Sequence, residues 1–592
     1  MGLERRSPDR HRGAPHRARH NLTRKQRPPA ASLSPPQSGR ARPREARQMR
    51  RTPQMAAVLT ALVLAACGPP ATDAPQPADL LIRGARIVDG TGGPWFRGSL
   101  AVTGDTIVSV GPGEPDALRV IDAEGLALAP GFIDMHAHSE YGLVVDPRAL
   151  SKTAQGVTTE VLGEHLSAGP VMGPAVDDPM MVAPPIERDW TTLGGYLDRL
   201  EFAGVGPNVV SYVGSGQVRA SVVGYEERDP TEEELQRMEA LVAQAMEEGA
   251  FGIASGLAYI PNAFMSTEEL IRLTRVAAGY GGIYVTHLRS GLEGLAEGIT
   301  IGREAGTAVE IHHLNSTSSS RIPEYAAMIA EARATGVDVT GNVYPYIAGW
   351  TYLRSLLPAW AQEGGVDRML GRLTDPAERE RLLAELRESE ARRPRWGRTF
   401  VSSFRDEVDG LSIVDLGEAR GTTPEEGLLD LLIEQEGDGF QISFGNEEVN
   451  LVQALAQPFT HIGSDGSALA AGMRTPMGKP HPRSFGTYPR VLAKYVREEG
   501  LLTLEEAIRK MSSAPANRLG LADRGVLRPG MKADMVLFDP DTVQDEATFE
   551  EPERYPTGIP WVFVNGVAII AEGEPTGELP GQVLRGPGYV GR

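Results

Sequence analysis

The sequence predicts an α/β protein: a (β/α)8 TIM-like barrel with a small β-sandwich domain built from both termini. Three observations lead to this prediction. Apolar strand-like runs alternate with helical patterns through the middle of the chain. Short alternating apolar stretches, broken by Gly and Pro turns, occur both before and after that middle. The 592 residues, 41% of them hydrophobic, are enough to bury a large core.

Eight short apolar runs are the candidate barrel strands. They are 131–135, 157–162, 208–213, 252–255, 282–286, 308–311, 338–343 and 459–463. Helices are predicted over 231–248, 266–279 and 503–511, because Ser or Thr begins each segment and acidic residues follow in the first turn. The largest insertion falls between the seventh and eighth strands, at about 347–455.

The β-rich ends complete the predicted domain organisation. The segments are a disordered extension at 1–48, a signal peptide at 49–66, a linker at 67–78, the first part of the β-sandwich at 79–128, the barrel at 129–520, and the second part of the β-sandwich with a C-terminal tail at 521–592.

Charge divides the chain near residue 66. The first 66 residues hold 15 of the 59 Lys and Arg but only three of the 78 acidic residues, which leaves a net charge of −31 on the remainder. Such an excess repels a phosphate backbone, so nucleic acid is excluded as a partner and a small-molecule substrate is favoured.

The segment before residue 79 has the pattern of an export signal. Met49-Arg50-Arg51 is basic, an apolar run is centred on 56–65, and Cys67 follows. This resembles a bacterial lipoprotein signal peptide, in which the cysteine is acylated. The resemblance implies a lipid anchor at Cys67, a periplasm-facing place in the bacterial cell envelope, and a true start at Met49. The alternative is that Cys67 is an ordinary thiol in a leader.

Cys67 is also the only cysteine, so no intrachain disulfide can form. Any metal site must use His, Asp or Glu.

Histidines and one aspartate are placed where barrel enzymes keep their chemistry. His136 and His138, two apart on the first strand, project from the same face. His287, His313 and Asp465 follow the fifth, sixth and eighth strands. Because the carboxyl ends of barrel strands meet at one mouth, these groups are expected to share one centre.

Each of these residues also has a structural interpretation. A lone His-x-His is more often structural, and Asp465 could be an ordinary turn aspartate. His312 and His313 are neighbours on a strand and should face opposite ways, so only one can be a ligand. His461 is interpreted as a packed strand histidine.

Eight stretches together resemble the amidohydrolase superfamily, and within it the D-aminoacylase (N-acyl-D-amino-acid deacylase) family. They are PGFIDMHAHS at 130–139, QGVTTEVLGE at 155–164, GLAYIPNAFMSTEEL at 256–270, THLRS at 286–290, IHHLNS at 311–316, IGSDGS at 462–467, HPRSFGTYPRVL at 481–492 and SSAPANRLGLADRGVLRPGMKADMVLFDP at 512–540. The resemblance covers about 79–585 and implies an amidohydrolase barrel that binds one or two zinc ions.

Residue roles follow from the same resemblance. It implies that His136 and His138 hold the more buried metal position and that His287 and His313 hold the second. Asp465, itself a candidate ligand, resembles the general base that takes the proton of a metal-activated water and passes it to the leaving amine.

The bridging ligand departs from the family. Where the family often has a cysteine in an Asn-Cys-Gly turn, this chain has Gly163-Glu164-His165, and no lysine lies between Lys152 and Lys479 to be carbamylated. Glu164 is the predicted bridge, because a carboxylate can span two cations with its two oxygens. His165 is the alternative.

The predicted substrate contacts are Tyr259, Arg483, His481 and Asn315. Arg483 could form a bidentate pair with a substrate carboxylate, and its alternative is a surface ion pair. Asn315 replaces a family lysine, so one cationic contact is lost.

The leading hypothesis is zinc-dependent hydrolysis of the linear amide of N-acyl-D-amino acids. A second enzyme hypothesis is a cyclic-amide or isoaspartyl-dipeptide hydrolase. The hypothesis from another class is a non-catalytic, lipid-anchored binding protein, which the retained histidines and Asp465 disfavour.

Overall fold

The computed structural model describes residues 76–177, 186, 188–317, 321–392, 394–474 and 478–591. The predicted extension, signal peptide and Cys67 lie outside the described residues. The strands in chain order are β1 (Ala78–Ile87), β2 (Phe96–Thr103), β3 (Thr106–Gly111), β4 (Ala117–Asp122), β5 (Ala127–Pro130), β6 (Phe132–Asp134), β7 (Val157–Leu162), β8 (Asn208–Ser211), β9 (Val213–Gly214), β10 (Gly252–Gly256), β11 (Ile283–His287), β12 (Val309–Ile311), β13 (Val339–Val343), β14 (Gly349–Tyr352), β15 (Thr399–Ser402), β16 (Phe440–Ser443), β17 (Thr460–Ile462), β18 (Met535–Phe538), β19 (Trp561–Val564), β20 (Val567–Ala571) and β21 (Glu574–Pro575).

Helices lie in about half of the intervals between successive strands. The α-helices are Gly142–Val145, Leu150–Thr153, Leu193–Ala203, Ser215–Val222, Glu232–Glu247, Thr267–Gly279, Gly291–Ala305, Leu314–Thr317, Ile322–Ala334, Ala359–Gln362, Val366–Thr374, Pro376–Arg392, Ile413–Arg420, Pro424–Glu434, Glu448–Leu455, Arg483–Arg490, Leu504–Met511 and Ser513–Leu519. In the described part of the chain, none is both long enough and apolar enough to cross a membrane.

The predicted barrel is confirmed. Parallel strands follow one another in the order β6, β7, β8 and then β9 to β13 and β17. Tyr212 separates β8 from β9, which together form the third predicted strand. A parallel bridge between Ala137 and Gly466 joins the first strand to the last and closes the ring in the described residues.

Local signals determine where the barrel helices begin. The helix Glu232–Glu247 starts with a capping box: Thr231 Oγ1 accepts from the Glu234 amide, and the Glu234 carboxylate accepts from the Thr231 amide. Its buried side chains, including Met238 and Val242, join the main apolar core. The sequence pattern therefore predicts both the start of this helix and its buried face.

The side domain is one nine-stranded sheet made from both ends of the chain. Its order is β21, β20, β19, β18, β5, β1, β2 and β3, with β4 beside β1. The two ends meet where β5 pairs antiparallel with β18, with Leu128 opposite Leu537. One apolar cluster includes Ile82 from the first part and Phe563 from the second. The exact domain boundaries stay a prediction.

The segment between β13 and β17 has its own core. It contains the antiparallel sheet β14–β16–β15. The helices and strands of this segment form a separate apolar cluster, which includes Leu353, Trp396 and Leu428. This segment can therefore hold β14 and β16 in a fixed position beside the barrel.

A buried ionic cluster ties the start of the barrel to its end. Lys152 Nζ lies 2.8 Å from Asp134 Oδ2 and 2.9 Å from the Gly466 carbonyl oxygen, and both charged side chains are completely buried. The Ser464 amide donates to Asp134 Oδ1 over 2.7 Å. The cluster therefore fixes the turn that carries Asp465.

We expect Lys152→Met to lower the free energy of unfolding by about 3–5 kcal/mol, because it leaves the Asp134 charge buried without an opposite charge. The matched control is Lys532→Met. Lys532 pairs with Asp105 over 2.5 Å, but their side chains are 27% and 41% exposed, so we expect a cost of at most about 1 kcal/mol. Denaturant-induced unfolding measures the free energy of unfolding of both variants. Equal losses of stability would contradict the claim that the buried cluster of Lys152 stabilises the barrel.

Candidate metal centre and active site

The candidate site lies at the carboxyl ends of the barrel strands. His136 and His138 follow β6, Glu164 follows β7, His287 ends β11, His313 follows β12 and Asp465 follows β17. Parallel barrel strands bring these ends to one mouth, so residues more than 300 positions apart become neighbours.

The ligand atoms of these residues form three overlapping groups, in each of which they lie within 4.8 Å of one another. The groups are His136, His138 and Glu164; His136, His313 and Asp465; and Glu164, His287 and His313. The structure thus brings together all six predicted metal-binding residues, and Glu164 or His136 is present in every group.

Glu164 is at the centre of the site. Its Oε1 lies 3.5 Å from His136 Nε2, 3.7 Å from His287 Nδ1 and 3.8 Å from His313 Nε2. Its Oε2 lies 3.7 Å from His138 Nε2. One carboxylate therefore reaches both pairs of histidines, as a bridging ligand must.

The donor atoms fit a metal. His136 Nδ1, His136 Nε2 and Glu164 Oε1 are buried and have no hydrogen-bond partner among the described residues. Buried polar atoms are normally paired, and atoms left over point to an ion or a water. Imidazole nitrogens with a carboxylate are a donor set that suits zinc.

His165, the alternative bridge, has a different role. It belongs to none of the three groups. Its Nδ1 donates to Glu164 Oε2 over 3.0 Å, and its ring stacks on Tyr259 with centroids 4.7 Å apart. The geometry therefore favours Glu164 as the bridge and gives His165 the role of orienting it.

A glycine allows the turn that carries Glu164. Gly163 has φ +89°, and a Cβ there would lie 2.2 Å from the Tyr212 carbonyl oxygen. Any larger residue would therefore displace the backbone that aims Glu164 into the site.

Burial keeps His136 and His287 in the neutral form that binds a metal. Burial and the neighbouring His312 hold the pKa of His136 well below its usual range, and burial with His313 lowers the pKa of His287. A neutral imidazole has a free lone pair for a cation. His312 itself stacks on His136 with centroids 3.7 Å apart, whereas His313 is the one that joins the metal-binding groups.

Asp465 is held as an ionised carboxylate. Burial opposes its ionisation, but the Arg483 guanidinium outweighs burial and holds the pKa of Asp465 well below its usual range. Arg483 Nη1 lies 2.8 Å from Oδ2, and His138 Nε2 lies 3.1 Å from Oδ1. The Asp465 backbone, at φ +53°, donates its amide to the His136 carbonyl oxygen over 2.7 Å.

These groups open into a cavity of about 390 Å³. Tyr259 is among the lining residues, and its hydroxyl oxygen accepts from Thr351 Oγ1 over 3.0 Å. The Tyr259 hydroxyl can therefore donate a hydrogen bond to an acceptor in the cavity. The predicted substrate contact by Tyr259 is compatible with this position.

Two other predicted substrate contacts do not reach the cavity. His481 is fully buried, with Nε2 donating to the Ala348 carbonyl oxygen and Nδ1 accepting from the Arg483 amide. Asn315 donates to the carbonyl oxygens of Tyr344 and Tyr346. Neither is among the described residues that line the cavity, so both support the backbone around it instead.

Arg483 lines the cavity but is not a surface residue. It is 2% exposed, and its Nη2 donates to the Trp350 carbonyl oxygen over 3.1 Å. The surface ion pair that the sequence left open is therefore wrong, because the partner is the buried Asp465.

Some residues of the site carry no signal in the sequence. Trp350, Tyr352 and Phe440 line the cavity, although they belong to the insertion and to no recognised motif. The alternation of aromatic residues at 350 and 352 is the one local sign of a strand with an aromatic face. The support of the Asp465 turn by Lys152 could not be read from sequence either, because the two lie 313 positions apart.

Comparisons with known proteins agree with the geometry. The model of the amidohydrolase family matches residues 119–403 and 457–570. A D-aminoacylase from Alcaligenes xylosoxydans xylosoxydans is 35% identical over 528 residues, which cover 86% of this chain and 98% of that protein. An N-acyl-D-aspartate deacylase from the same organism is 35% identical over 530 residues, which cover 86% of this chain and 96% of that protein.

A solved structure is similar over the same length. The crystal structure of N-acyl-D-glutamate deacylase from Bordetella bronchiseptica contains zinc and a phosphonate inhibitor that mimics the tetrahedral intermediate of the reaction. It superposes with a TM-score of 0.73 at 31% identity, and the match covers 86% of this chain and all of that one.

We expect Glu164→Gln to lower the affinity for zinc by about 10- to 100-fold or more, because the neutral amide removes the charge shared by the groups. Glu160→Gln is the matched control: Glu160 is buried on β7, the strand that Glu164 follows, and burial raises its pKa to about 7. Glu160 belongs to none of the three metal-binding groups. Metal analysis after chelator competition measures both variants. Equal loss of zinc from the two variants would contradict the assignment of Glu164 as a metal ligand.

Proposed function

The chain belongs to the amidohydrolase family, and on that premise we propose that it is a zinc-dependent hydrolase of the linear amide of N-acyl-D-amino acids. The observation that carries the proposal is the meeting of four imidazoles, Glu164 and Asp465 at one end of a cavity large enough for such a substrate. The D-aminoacylase and the two deacylases that resemble this chain over most of its length support it.

The proposed ligand roles follow the geometry. His136 and His138 would hold one zinc position, His287 and His313 would hold the second, and Glu164 lies between the two pairs. When bound at these residues, zinc would supply Lewis-acid chemistry: it would lower the pKa of a water molecule towards neutrality and polarise the carbonyl of the scissile amide.

Asp465 is the proposed general base. Because Arg483 holds Oδ2, Oδ1 is the atom that accepts the proton of the attacking water. The same carboxyl then gives that proton to the amide nitrogen as the carbon–nitrogen bond breaks. A carbon–oxygen bond has formed in its place, and the products are a carboxylate and a free D-amino acid.

Tyr259 and Arg483 are the proposed contacts of the substrate carboxylate. Tyr259 has a hydroxyl proton to donate, and Arg483 supplies a positive charge beside the base. Arg483 thus serves both the general base and the substrate, since it keeps Asp465 ionised and faces the cavity in which the substrate carboxylate would bind.

The described residues provide no support for the alternative of a cyclic-amide hydrolase. The carbamylated lysine that many such enzymes use has no counterpart, because Lys152 is buried against Asp134 and the next lysine in the chain is Lys479.

Asp465→Asn should reduce kcat by about 10²- to 10⁴-fold and leave bound zinc in place, because it removes the base but keeps the histidines and Glu164. Steady-state hydrolysis of an N-acetyl-D-amino acid and metal analysis of the same sample give the two readings. Near-normal turnover would contradict the assigned role.

The stereochemical part of the proposal is tested with paired N-acetyl-D- and N-acetyl-L-amino acids, assayed after chelation and again after zinc is restored. We expect turnover of the D forms alone, lost with the metal and regained with zinc. Turnover of dihydroorotate or isoaspartyl dipeptides without turnover of any linear D-amide would favour the alternative.

We also propose that Cys67 is acylated and anchors the enzyme to the membrane, facing the periplasm. The basic, apolar and cysteine-containing order of residues 49–67 supports this. We expect the full chain, produced in a bacterial host, to sediment with membranes and Cys67→Ser to be released into the soluble fraction. The same distribution for both would reject the anchor.

A further inference from the structure

The two adjacent histidines after β12 both turn towards the metal centre. His313 belongs to two of the metal-binding groups, and the His312 ring stacks on that of His136 with centroids 3.7 Å apart. Neighbouring residues on a regular strand would face opposite ways. The His313 backbone instead has φ +35°, in the left-handed region that residues other than glycine rarely adopt. Such a conformation persists only where the surrounding structure holds it.

The side chain of Asn342 holds this turn. Asn342 is buried in β13, and its Oδ1 accepts a hydrogen bond from the His313 amide over 2.9 Å. Its Nδ2 donates to His312 Nδ1 over 2.8 Å. One side-chain amide therefore contacts the backbone of one histidine and the ring of the other. Because the His312 ring packs on His136, the same amide supports a residue from each of the two histidine pairs.

A buried carboxylate determines which way the Asn342 amide points. Glu310 Oε1 lies 3.3 Å from Asn342 Nδ2, and Glu310 is completely buried on the neighbouring strand β12. Burial opposes the ionisation of this carboxyl, but His461 and Arg518 outweigh burial and hold the pKa of Glu310 below its usual range. An ionised carboxylate can only accept a hydrogen bond, and a backbone amide can only donate one. Glu310 and the His313 amide therefore fix the nitrogen and the oxygen of Asn342 in one arrangement.

Glu310 is itself fixed by three further side chains. His461 Nδ1 donates to Glu310 Oε1 over 3.1 Å, and Thr340 Oγ1 donates to Oε2. Arg518 Nε lies 3.7 Å from Oε2, and the Arg518 side chain is buried as well. Glu310 therefore cannot turn away from Asn342 without losing these partners.

We propose that Asn342 is a positioning residue for the metal centre, and that Glu310 orients its amide so that His313 reaches the second zinc position. This inference rests on the zinc centre of the proposed function and makes it more specific. Neither Asn342 nor Glu310 is among the described residues that line the cavity, and neither belongs to a metal-binding group. Their effect is therefore on the binding of the metal, before any substrate is present.

The first test is Asn342→Asp, with zinc affinity measured by chelator competition on the folded full chain. The carboxylate keeps the size of the amide but has no hydrogen to donate to Glu310 or His312. We expect the affinity for zinc to fall by about 10- to 100-fold. The visible absorption of the cobalt-substituted protein should change as well, because it reports the geometry of the ligands. A wild-type affinity for zinc would overturn the proposal.

Asn208→Asp is the matched control. Asn208 is completely buried on the barrel strand β8, and its Nδ2 donates to Asp534 Oδ2 over 3.1 Å. The substitution therefore places a new carboxylate against a buried one, as at position 342, but Asn208 belongs to no metal-binding group. We expect lower stability and a wild-type affinity for zinc per folded molecule. An equal fall in affinity in both variants would assign the effect to general destabilisation and overturn the proposal.

The second test reverses the hydrogen bond between positions 310 and 342. In the double variant Asn342→Asp/Glu310→Gln, the new amide at position 310 can donate to the new carboxylate at position 342. We expect this variant to bind zinc about tenfold or more tightly than Asn342→Asp alone, and the single variant Glu310→Gln completes the cycle. General destabilisation cannot produce such a recovery. No recovery would overturn the orienting role of Glu310.

Asn342→Ala supplies the first reading if Asn342→Asp does not fold, because it removes the same hydrogen bonds without adding a charge. A wild-type affinity for zinc in Asn342→Ala would overturn the proposal in the same way. These readings need no substrate, so they separate this inference from the proposed hydrolysis. Zinc binding that depends on Asn342, without turnover of any N-acyl-D-amino acid, would overturn the hydrolysis alone. A wild-type protein with no affinity for zinc would overturn both.

Discussion

A buried carboxylate that needs positive charge is the constraint on which the site depends. Glu164 is 4% exposed and is surrounded by five imidazoles rather than by lysine or arginine. Burial disfavours protonation of His136 and His287. These rings are therefore neutral, so they provide lone pairs for a cation but no positive charge for Glu164. The arrangement is therefore suited to a cation that satisfies the carboxylate and the imidazoles together.

The rest of the molecule holds this arrangement in place at two levels. Lys152, Asp134 and Ser464 join the first barrel strand to the turn of Asp465, so closing the ring also sets the position of the base. The insertion, with a core of its own, brings an aromatic sheet face against the same cavity. The metal-binding groups and this aromatic face thus come from separate parts of the chain.

Features with a local cause could be predicted from sequence. The eight barrel strands and the starts of helices such as Glu232–Glu247 follow from apolar runs, turns and caps. The convergence of His136, His138, His287, His313 and Asp465 follows from the rule that parallel strands end together. Features that depend on long-range packing could not. His481 and Asn315 lie within recognised motifs, yet their side chains form hydrogen bonds with backbone groups and not with the cavity. Trp350, Tyr352 and Phe440 line the cavity but belong to an insertion whose pattern indicates no site.

The sheet that joins both ends of the chain cannot be completed until the second end has been synthesised. β5 has its partner in β18, more than 400 residues later, and β1 and β2 belong to the same sheet. While the ribosome is still making the barrel, the strands already made lack that partner, and the edge of β5 stays open to other chains. The sheet is therefore completed only after β18 has been made.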